Sequence, residues 1–336
     1  MAMTVSSDRV KLLILLHHRF DLWQAPEWLV ERLRRDFPQL EVVHLQNYDK
    51  IEKELADAEI LVGWSLRPEQ FAAARKLRWI HSTAAAVHQL MFPELVSSKV
   101  VLTNAREVHG PVVAEHAIAL VLACAKRLRA AIEYQQRKTW AQDAIWNEPP
   151  GPREIAGVVL GLIGLGAIGR RTAQLAKGLS MHVLAVREHP ERGAETADEV
   201  FGPHALAQVL ARSDYVVVAA PVTSETQHFM NAERLRQMKK DAYLINVSRG
   251  VLVDEAALIE VLWEGLIAGA ALDVFEHEPL PSDSPLWTLK GVLITPHTAG
   301  LTSRMWERHY AHFSENLRRY LAGEPLRDVV NKEKGY

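Results

Sequence analysis

Val159-Leu160-Gly161-Leu162-Ile163 is a short apolar run, and Gly164-Leu165-Gly166-Ala167-Ile168-Gly169-Arg170 follows it directly. The first part reads as a buried strand and the second as a glycine turn opening a helix, an order used by open α/β sheets. Gly164 permits the tight turn, and Gly166 lets the backbone approach a phosphate with no Cβ in the way. Gly169 allows the helix to pack close to the strand. The helix N-terminus then offers free N–H groups and a positive dipole end to an anion. This spacing points to the pyrophosphate of a dinucleotide. A plain strand-to-helix turn with no ligand would carry the same glycines.

A chain of 336 residues suits two domains and has ample material for two cores. A formal net charge of −2 gives no global pull toward nucleic acid or an anionic membrane, and neither is expected as a partner. The single cysteine, Cys124, excludes an intramolecular disulfide and a cysteine-based zinc cluster. It sits in an apolar helical stretch and reads as an inert buried thiol. No metal-ligand set is read from the chain. The apolar run Leu12 to Leu16 is too short for a signal-peptide core, and no segment is read as long enough to span a membrane. The expectation is a cytoplasmic protein.

Strand patterns recur at Val10 to Leu16, Val42 to Leu45, Ile60 to Trp64, Trp79 to Ser82 and Val100 to Leu102. Stretches of helical spacing separate them, which argues for a small parallel α/β unit. From Val112 to about Lys138 the pattern is one long helix, with Pro111 at its start and Leu120, Cys124, Leu128 and Ile132 on one face. The segment Asn147 to Pro152 is a loop. Six further strands are expected at Val158–Ile163, His182–Val186, Tyr215–Ala219, Ala242–Val247, Gly269–Leu272 and Val292–Ile294, with helices such as Glu255 to Trp263 between them. The helical stretch Thr302 to Ala322 has no strand partner nearby and is expected to return to the first unit. The fold class is therefore α/β, with two Rossmann-like or flavodoxin-like domains of doubly wound parallel sheet and a cleft between them. The boundaries expected are 1–106 plus 299–336 for a discontinuous substrate domain, and 107–298 for the dinucleotide domain.

Three patches each follow a strand of the second unit. They are Ile245-Asn246-Val247-Ser248-Arg249-Gly250, Leu272-Asp273-Val274-Phe275-Glu276-His277-Glu278-Pro279 and Thr295-Pro296-His297-Thr298-Ala299-Gly300. Ligands of open α/β sheets bind beyond the carboxyl ends of strands, which puts these patches on the cofactor's side. An arginine can hold an anionic substrate, a histidine can move a proton, and a carboxylate can keep that histidine charged. With Ala114-Glu115-His116-Ala117, Pro221-Val222-Thr223 and Gly323-Glu324-Pro325-Leu326, the chain closely resembles the D-isomer-specific 2-hydroxyacid dehydrogenases over nearly its whole length. Within that family it is most similar to the glyoxylate and hydroxypyruvate reductases. The formate dehydrogenase branch is set aside, because it places glutamine where Glu278 stands.

The resemblance implies hydride exchange between a nicotinamide and a small 2-keto acid or D-2-hydroxy acid. In it Arg249 grips the substrate carboxylate and polarises the keto oxygen. His297 is the acid–base, and Glu278 hydrogen-bonds its ring and favours the charged form. Backbone N–H groups of Ala85, Ala86 and Val87 would hold the carboxylate as an anion nest. The dinucleotide would lie on Gly164, Gly166, Ala167, Ile168, Pro221, Val247, Asp273 and Gly300, with Asp273 near the carboxamide. The family also implies a homodimer, with the helix from Glu115 to Leu128 at its interface.

Two departures from the family pattern matter. The substrate loop commonly reads Ala-Gly-Val-Asp, whereas here it is Ala85-Ala86-Val87-His88. Alanine keeps the N–H but demands a backbone conformation that a Cβ allows. His88 is open to two readings, substrate contact or surface residue. The second departure bears on the cofactor. NAD enzymes place an acidic residue about 20 positions past the glycine loop, yet here the strand ends in Arg187, with Glu188 next and Arg192 nearby. Arg187 favours NADP(H) by pairing with a 2′-phosphate, while Glu188 leaves NAD(H) or dual use open. Some relatives of this fold are dinucleotide-sensing corepressors that bind protein partners. The intact Arg249, Glu278 and His297 weigh against that alternative.

Overall fold

The computed structural model describes residues 9–18, 20–49, 51–194 and 196–335. It divides into two compact units, one running up to His109 and resuming at Thr302, the other from Gly110 to Leu301.

The first unit holds a five-stranded sheet made of β1 (Val10–Leu15), β2 (Leu40–Leu45), β3 (Ile60–Val62), β4 (Trp79–Ser82) and β5 (Val101–Asn104). Its order is β2-β1-β3-β4-β5 and every pair is parallel. That is the flavodoxin-like order. Both faces are covered, so from Leu12 onward β1 reads as continuous apolar sequence rather than an alternation. Leu12 and Ile14 enter one core with Leu29, Leu33 and Trp79, while Leu13 and Leu15 enter the other with Leu61, Ile80 and Leu102. The helix Met305–Leu321 packs on the first of these cores through Tyr310, Phe313 and Leu317.

The second unit holds β6 (Val159–Ile163), β7 (His182–Val186), β8 (Glu199–Phe201), β9 (Tyr215–Val218), β10 (Tyr243–Asn246), β11 (Gly269–Leu272) and β12 (Val292–Ile294). The order is β12-β11-β10-β9-β6-β7-β8, again all parallel. Counted from β6, this is the Rossmann arrangement with one strand added, and the order reverses between β6 and β9. The glycine turn leaves β6 at that reversal. Six strands are expected here from sequence and seven are found. The missed one, β8, is a three-residue edge strand whose residues are all half-buried, so it shows no apolar run.

The long helix also departs from expectation. It starts at Arg106, which puts Pro111 inside the helix rather than at its start, and it stops at Ala125. Arg127 adopts a left-handed φ of 56° and a new helix, Leu128–Gln136, begins after it. The chain turns there because the Arg127 guanidinium reaches inward to the Tyr243 hydroxyl at 2.9 Å and to Glu148 at 3.1 Å. The apolar face consequently does not continue: Leu120 and Cys124 are buried, but Leu128 and Ile132 are about half exposed. Contrary to the reading of segment lengths, Arg106–Ala125 is long and apolar enough to cross a membrane. Its buried residues Val113, Ala117, Leu120 and Val121 pack instead with Leu160, Leu162 and Val217 of the second sheet.

Candidate active site

Gly164 has a φ of +99°, a value that only glycine adopts without strain, and a Cβ there would press on the Ala219 carbonyl. A Cβ on Gly169 would overlap the Gly164 carbonyl, so this glycine sets how closely the helix Ala167–Gly178 meets its strand. Gly166 differs from both. It is the N-cap of that helix, and a Cβ on it would meet no heavy atom within 4 Å. Packing does not require glycine at this position, whereas a phosphate approaching that side would. With the helix N–H groups of Ala167 and Ile168 beyond it, the turn fits a dinucleotide pyrophosphate.

The other expected residues follow the carboxyl ends of the same parallel sheet. Arg187 follows β7, Pro221 comes after β9, Val247 and Arg249 follow β10, Asp273 follows β11, and Thr295 to Gly300 follow β12. Arg187 is half-buried, and its Nη1 reaches the Gly193 carbonyl at 3.4 Å. Ala85, Ala86 and Val87 lie in the first unit after β4, and none has a positive φ, so alanine is accommodated at position 86. Among the described residues their N–H groups donate no hydrogen bond.

Three side chains of the second unit, His297, Glu278 and Arg249, are those expected from the sequence to carry chemistry. Nδ1 of His297 lies 2.6 Å from Oε2 of Glu278. The Phe275 N–H donates to Oε1 of the same carboxylate at 3.0 Å. Burial alone would raise the Glu278 carboxyl, but the bonds from His297 and Phe275 and the charge of Arg249 outweigh it and hold the group below the ordinary range. An ionised carboxylate only accepts, so Nδ1 carries the proton and Nε2 is the nitrogen left to exchange one.

Arg249 complements that pair. Burial pushes its guanidinium below the ordinary value, and the Glu278 charge opposes this only in part. Its Nη1 donates to the neighbouring Ser248 carbonyl at 2.6 Å, and among the described residues no carboxylate comes within ion-pair distance. The turn after it lies against the loop of Glu278, since a Cβ on Gly250 would overlap the Phe275 carbonyl. That loop is pinned from outside by Glu276, which accepts the Glu255 N–H at 3.1 Å and pairs with His228 at 2.9 Å.

Asp273 is 1% exposed, and its carboxylate is engaged within the protein. Oδ1 accepts the Thr295 hydroxyl at 2.6 Å and the Thr298 N–H at 2.9 Å, and Oδ2 accepts the Ala299 N–H at 3.0 Å. Nε2 of His116 lies 3.0 Å from the Thr295 oxygen. Sequence reasoning gave Thr295 and His116 no role. Both stand in the quoted motifs, but their meeting spans 179 positions and no local pattern announces it.

An anion turn at the reversal of a parallel sheet, with an imidazole–carboxylate pair and an unpaired arginine on the neighbouring strand ends, defines a nicotinamide-dependent oxidoreductase. The model of the D-isomer specific 2-hydroxyacid dehydrogenase NAD-binding domain matches residues 118–299. A glyoxylate reductase of Korarchaeum cryptofilum is 35% identical over 84% of this chain and 86% of its own. A D-isomer specific 2-hydroxyacid dehydrogenase family protein from Aeromonas salmonicida superposes with a TM-score of 0.81 at 31% identity, over 96% of this chain and 99% of that one. The Xanthobacter autotrophicus D-isomer specific 2-hydroxyacid dehydrogenase, solved with NADPH and MES, gives 0.80 at 31% identity, over 98% and 100%. The chain belongs to the D-isomer-specific 2-hydroxyacid dehydrogenase family. It is an NAD(P)-dependent enzyme interconverting 2-keto acids and D-2-hydroxy acids. Nothing among the relatives supports the corepressor alternative.

Proposed function

We propose that this enzyme reduces small 2-keto acids, glyoxylate and hydroxypyruvate first among them, with NADP(H) as the preferred cofactor. The observation that carries this reading is Arg249: a partly buried cation with, among the described residues, no carboxylate at ion-pair distance, two strands away from a histidine already oriented by a carboxylate. A guanidinium in that state gains most from an anionic substrate, whose carboxylate supplies the missing partner through two parallel bonds. The bound dinucleotide supplies the hydride. Arg249 holds the substrate and draws charge onto its keto oxygen. His297 delivers the proton from Nε2 to that oxygen, and accepts it in the reverse direction. Glu278 fixes the ring's tautomer and balances its charge. In the same reading the N–H groups of Ala85, Ala86 and Val87, which donate no hydrogen bond among the described residues, face a substrate carboxylate.

For the cofactor, Gly164, Gly166, Ala167 and Ile168 take the pyrophosphate in this reading, and Pro221, Val247, Asp273 and Gly300 the nicotinamide end. Support for NADP(H) comes from Arg187 at the end of β7 and from the NADPH bound by the Xanthobacter relative. A second copy of the chain is the partner inferred. Leu128, Ile132, Trp140 and Trp146 are 48%, 51%, 93% and 71% exposed, a density of large apolar surface that a dimer would cover. A cytoplasmic setting belongs to the same reading. The test is loss of nicotinamide absorbance when the protein is mixed with NADPH or NADH and a panel of keto acids. Oxidation with glyoxylate or hydroxypyruvate, faster with NADPH, is expected. Tight cofactor binding with no oxidation across the panel would overturn the reading.

A further inference from the structure

His297 is not held by Glu278 alone. It has a φ of 53°, a left-handed conformation that costs an ordinary L-residue about 1–2 kcal/mol, so its surroundings must impose it. The imposing group is Asp273. The His297 N–H donates to the Asp273 carbonyl at 2.9 Å, and the next two N–H groups, of Thr298 and Ala299, donate to its two carboxylate oxygens. Three successive N–H groups thus converge on one buried residue, a backbone nest whose anion is built into the protein.

The clamp has a second end. Oδ1 of Asp273 can only accept from Thr295, so the single hydroxyl proton of Thr295 goes to it at 2.6 Å. The Thr295 oxygen is then an acceptor, and the 3.0 Å contact with Nε2 of His116 requires the proton on that nitrogen. The same nitrogen stands 3.5 Å from Oδ1 of Asp273. His116 projects from the 20-residue helix Arg106–Ala125, whose packing in the core of the second unit makes it a rigid support.

We infer that His116 is a positioning residue for the reaction: through Thr295 and Asp273 it fixes the turn that aims His297. The inference rests on the reading of His297 as the acid–base, and deepens it. His116 touches neither reacting group, so its effect is on geometry and falls on turnover more than on cofactor binding.

Two variants cut the chain and two keep it. Thr295→Val removes the hydroxyl at nearly constant shape, and His116→Phe removes the donor. Thr295→Ser retains the hydroxyl, and His116→Gln retains an N–H donor. A misplacement of the acid by a fraction of an ångström to one ångström makes kcat fall about 10- to 100-fold in the first two, with a smaller change in the KM for NADPH. Serine and glutamine recover most of the loss. The double variant Thr295→Val with His116→Phe is no slower than the slower single one, since both break one connection. A second readout needs no turnover. The downfield Nδ1 proton of the His297–Glu278 bond, identified by its loss in Glu278→Gln, shifts or broadens in the two cutting variants and persists in the two retaining ones. Wild-type kcat in Thr295→Val, or additive losses in the double variant, or an undisturbed proton signal in both cutting variants, would overturn the inference. Should the wild type reduce no keto acid, the functional reading fails, and the proton signal still decides whether His116 holds the turn. Should His116→Phe not fold, Thr295→Val makes the same cut one link closer.

Discussion

His297 and Glu278 face each other from loops after different strands, Nδ1 to Oε2 at 2.6 Å, with the carboxylate fixed at its other oxygen by the Phe275 N–H. The pair occupies Nδ1 and leaves the other ring nitrogen, Nε2, outside it. Replacing Glu278 by glutamine keeps the shape and removes the charge. Losing a charge-assisted hydrogen bond, about 1.5–3 kcal/mol, slows keto-acid reduction by at least about tenfold. The pH dependence of stability follows from the lowered carboxyl. A folded value below the unfolded one contributes stability above the unfolded value, and that contribution is lost as pH falls through the folded one. The gap between thermal melts of wild type and Glu278→Gln should therefore close as pH falls below about 4.3, the ordinary glutamate value. A gap that persists at the acid end would exclude the carboxylate as its source.

His297 is best probed by asparagine, because the left-handed backbone at φ 53° tolerates asparagine better than alanine. His297→Asn should keep the fold and the dinucleotide affinity while turnover drops about 10²–10⁴-fold, the usual range for losing a general acid. Stopped-flow reduction and cofactor titration read the two quantities separately. Near-normal turnover would remove His297 from the mechanism.

Much of this was legible in the sequence, and the failures share a cause. Strands buried on both faces, such as Tyr215–Val218, His182–Val186 and Gly269–Leu272, show as largely apolar runs because no solvent face interrupts them. The edge strand Glu199–Phe201 has no such run and was invisible. Arg249, Glu278 and His297 are singled out in the sequence by their neighbours in the chain, which mark loops that follow strands of the second sheet. The helix break at Arg127 was missed because it answers to Tyr243, 116 positions away. The reach of His116 to Thr295 was missed for the same reason. Local pattern reports what the backbone does, whereas a tertiary hydrogen bond leaves no trace at either end.

Arg249→Lys keeps the charge and loses the planar fork. One of two charge-assisted bonds to a substrate carboxylate disappears, at about 1.5–3 kcal/mol, which lowers kcat/KM for the keto acid roughly 10- to 150-fold. The change falls on keto-acid kinetics and leaves NADPH binding as it was. An unaltered kcat/KM would show that the guanidinium does not meet substrate.

Arg187 ends β7, where the sheet presents the adenosine ribose in a Rossmann unit. Arg187→Asp replaces a partner for a 2′-phosphate by one for a 2′-hydroxyl and repels the phosphate. The ratio of kcat/KM with NADPH to that with NADH should fall, by steady-state rates at saturating keto acid. A ratio equal to that of the wild type would refute the assignment.

The two glycines of the turn separate fold from ligand. A methyl group on Gly169 overlaps the Gly164 carbonyl, so Gly169→Ala forces helix and strand apart and costs about 1–3 kcal/mol, seen as a lower Tm. At Gly166 the added methyl meets no protein atom within 4 Å, and its backbone angles, φ −86° and ψ −158°, suit an alanine. Gly166→Ala therefore changes stability by no more than the cap preference, about 1 kcal/mol. Its effect falls on the dinucleotide, whose pyrophosphate would have to approach through the new methyl. Melting curves and cofactor titration on the two variants should give opposite patterns. If Gly166→Ala binds dinucleotide as the wild type does, the open side of that glycine is not where the phosphates lie.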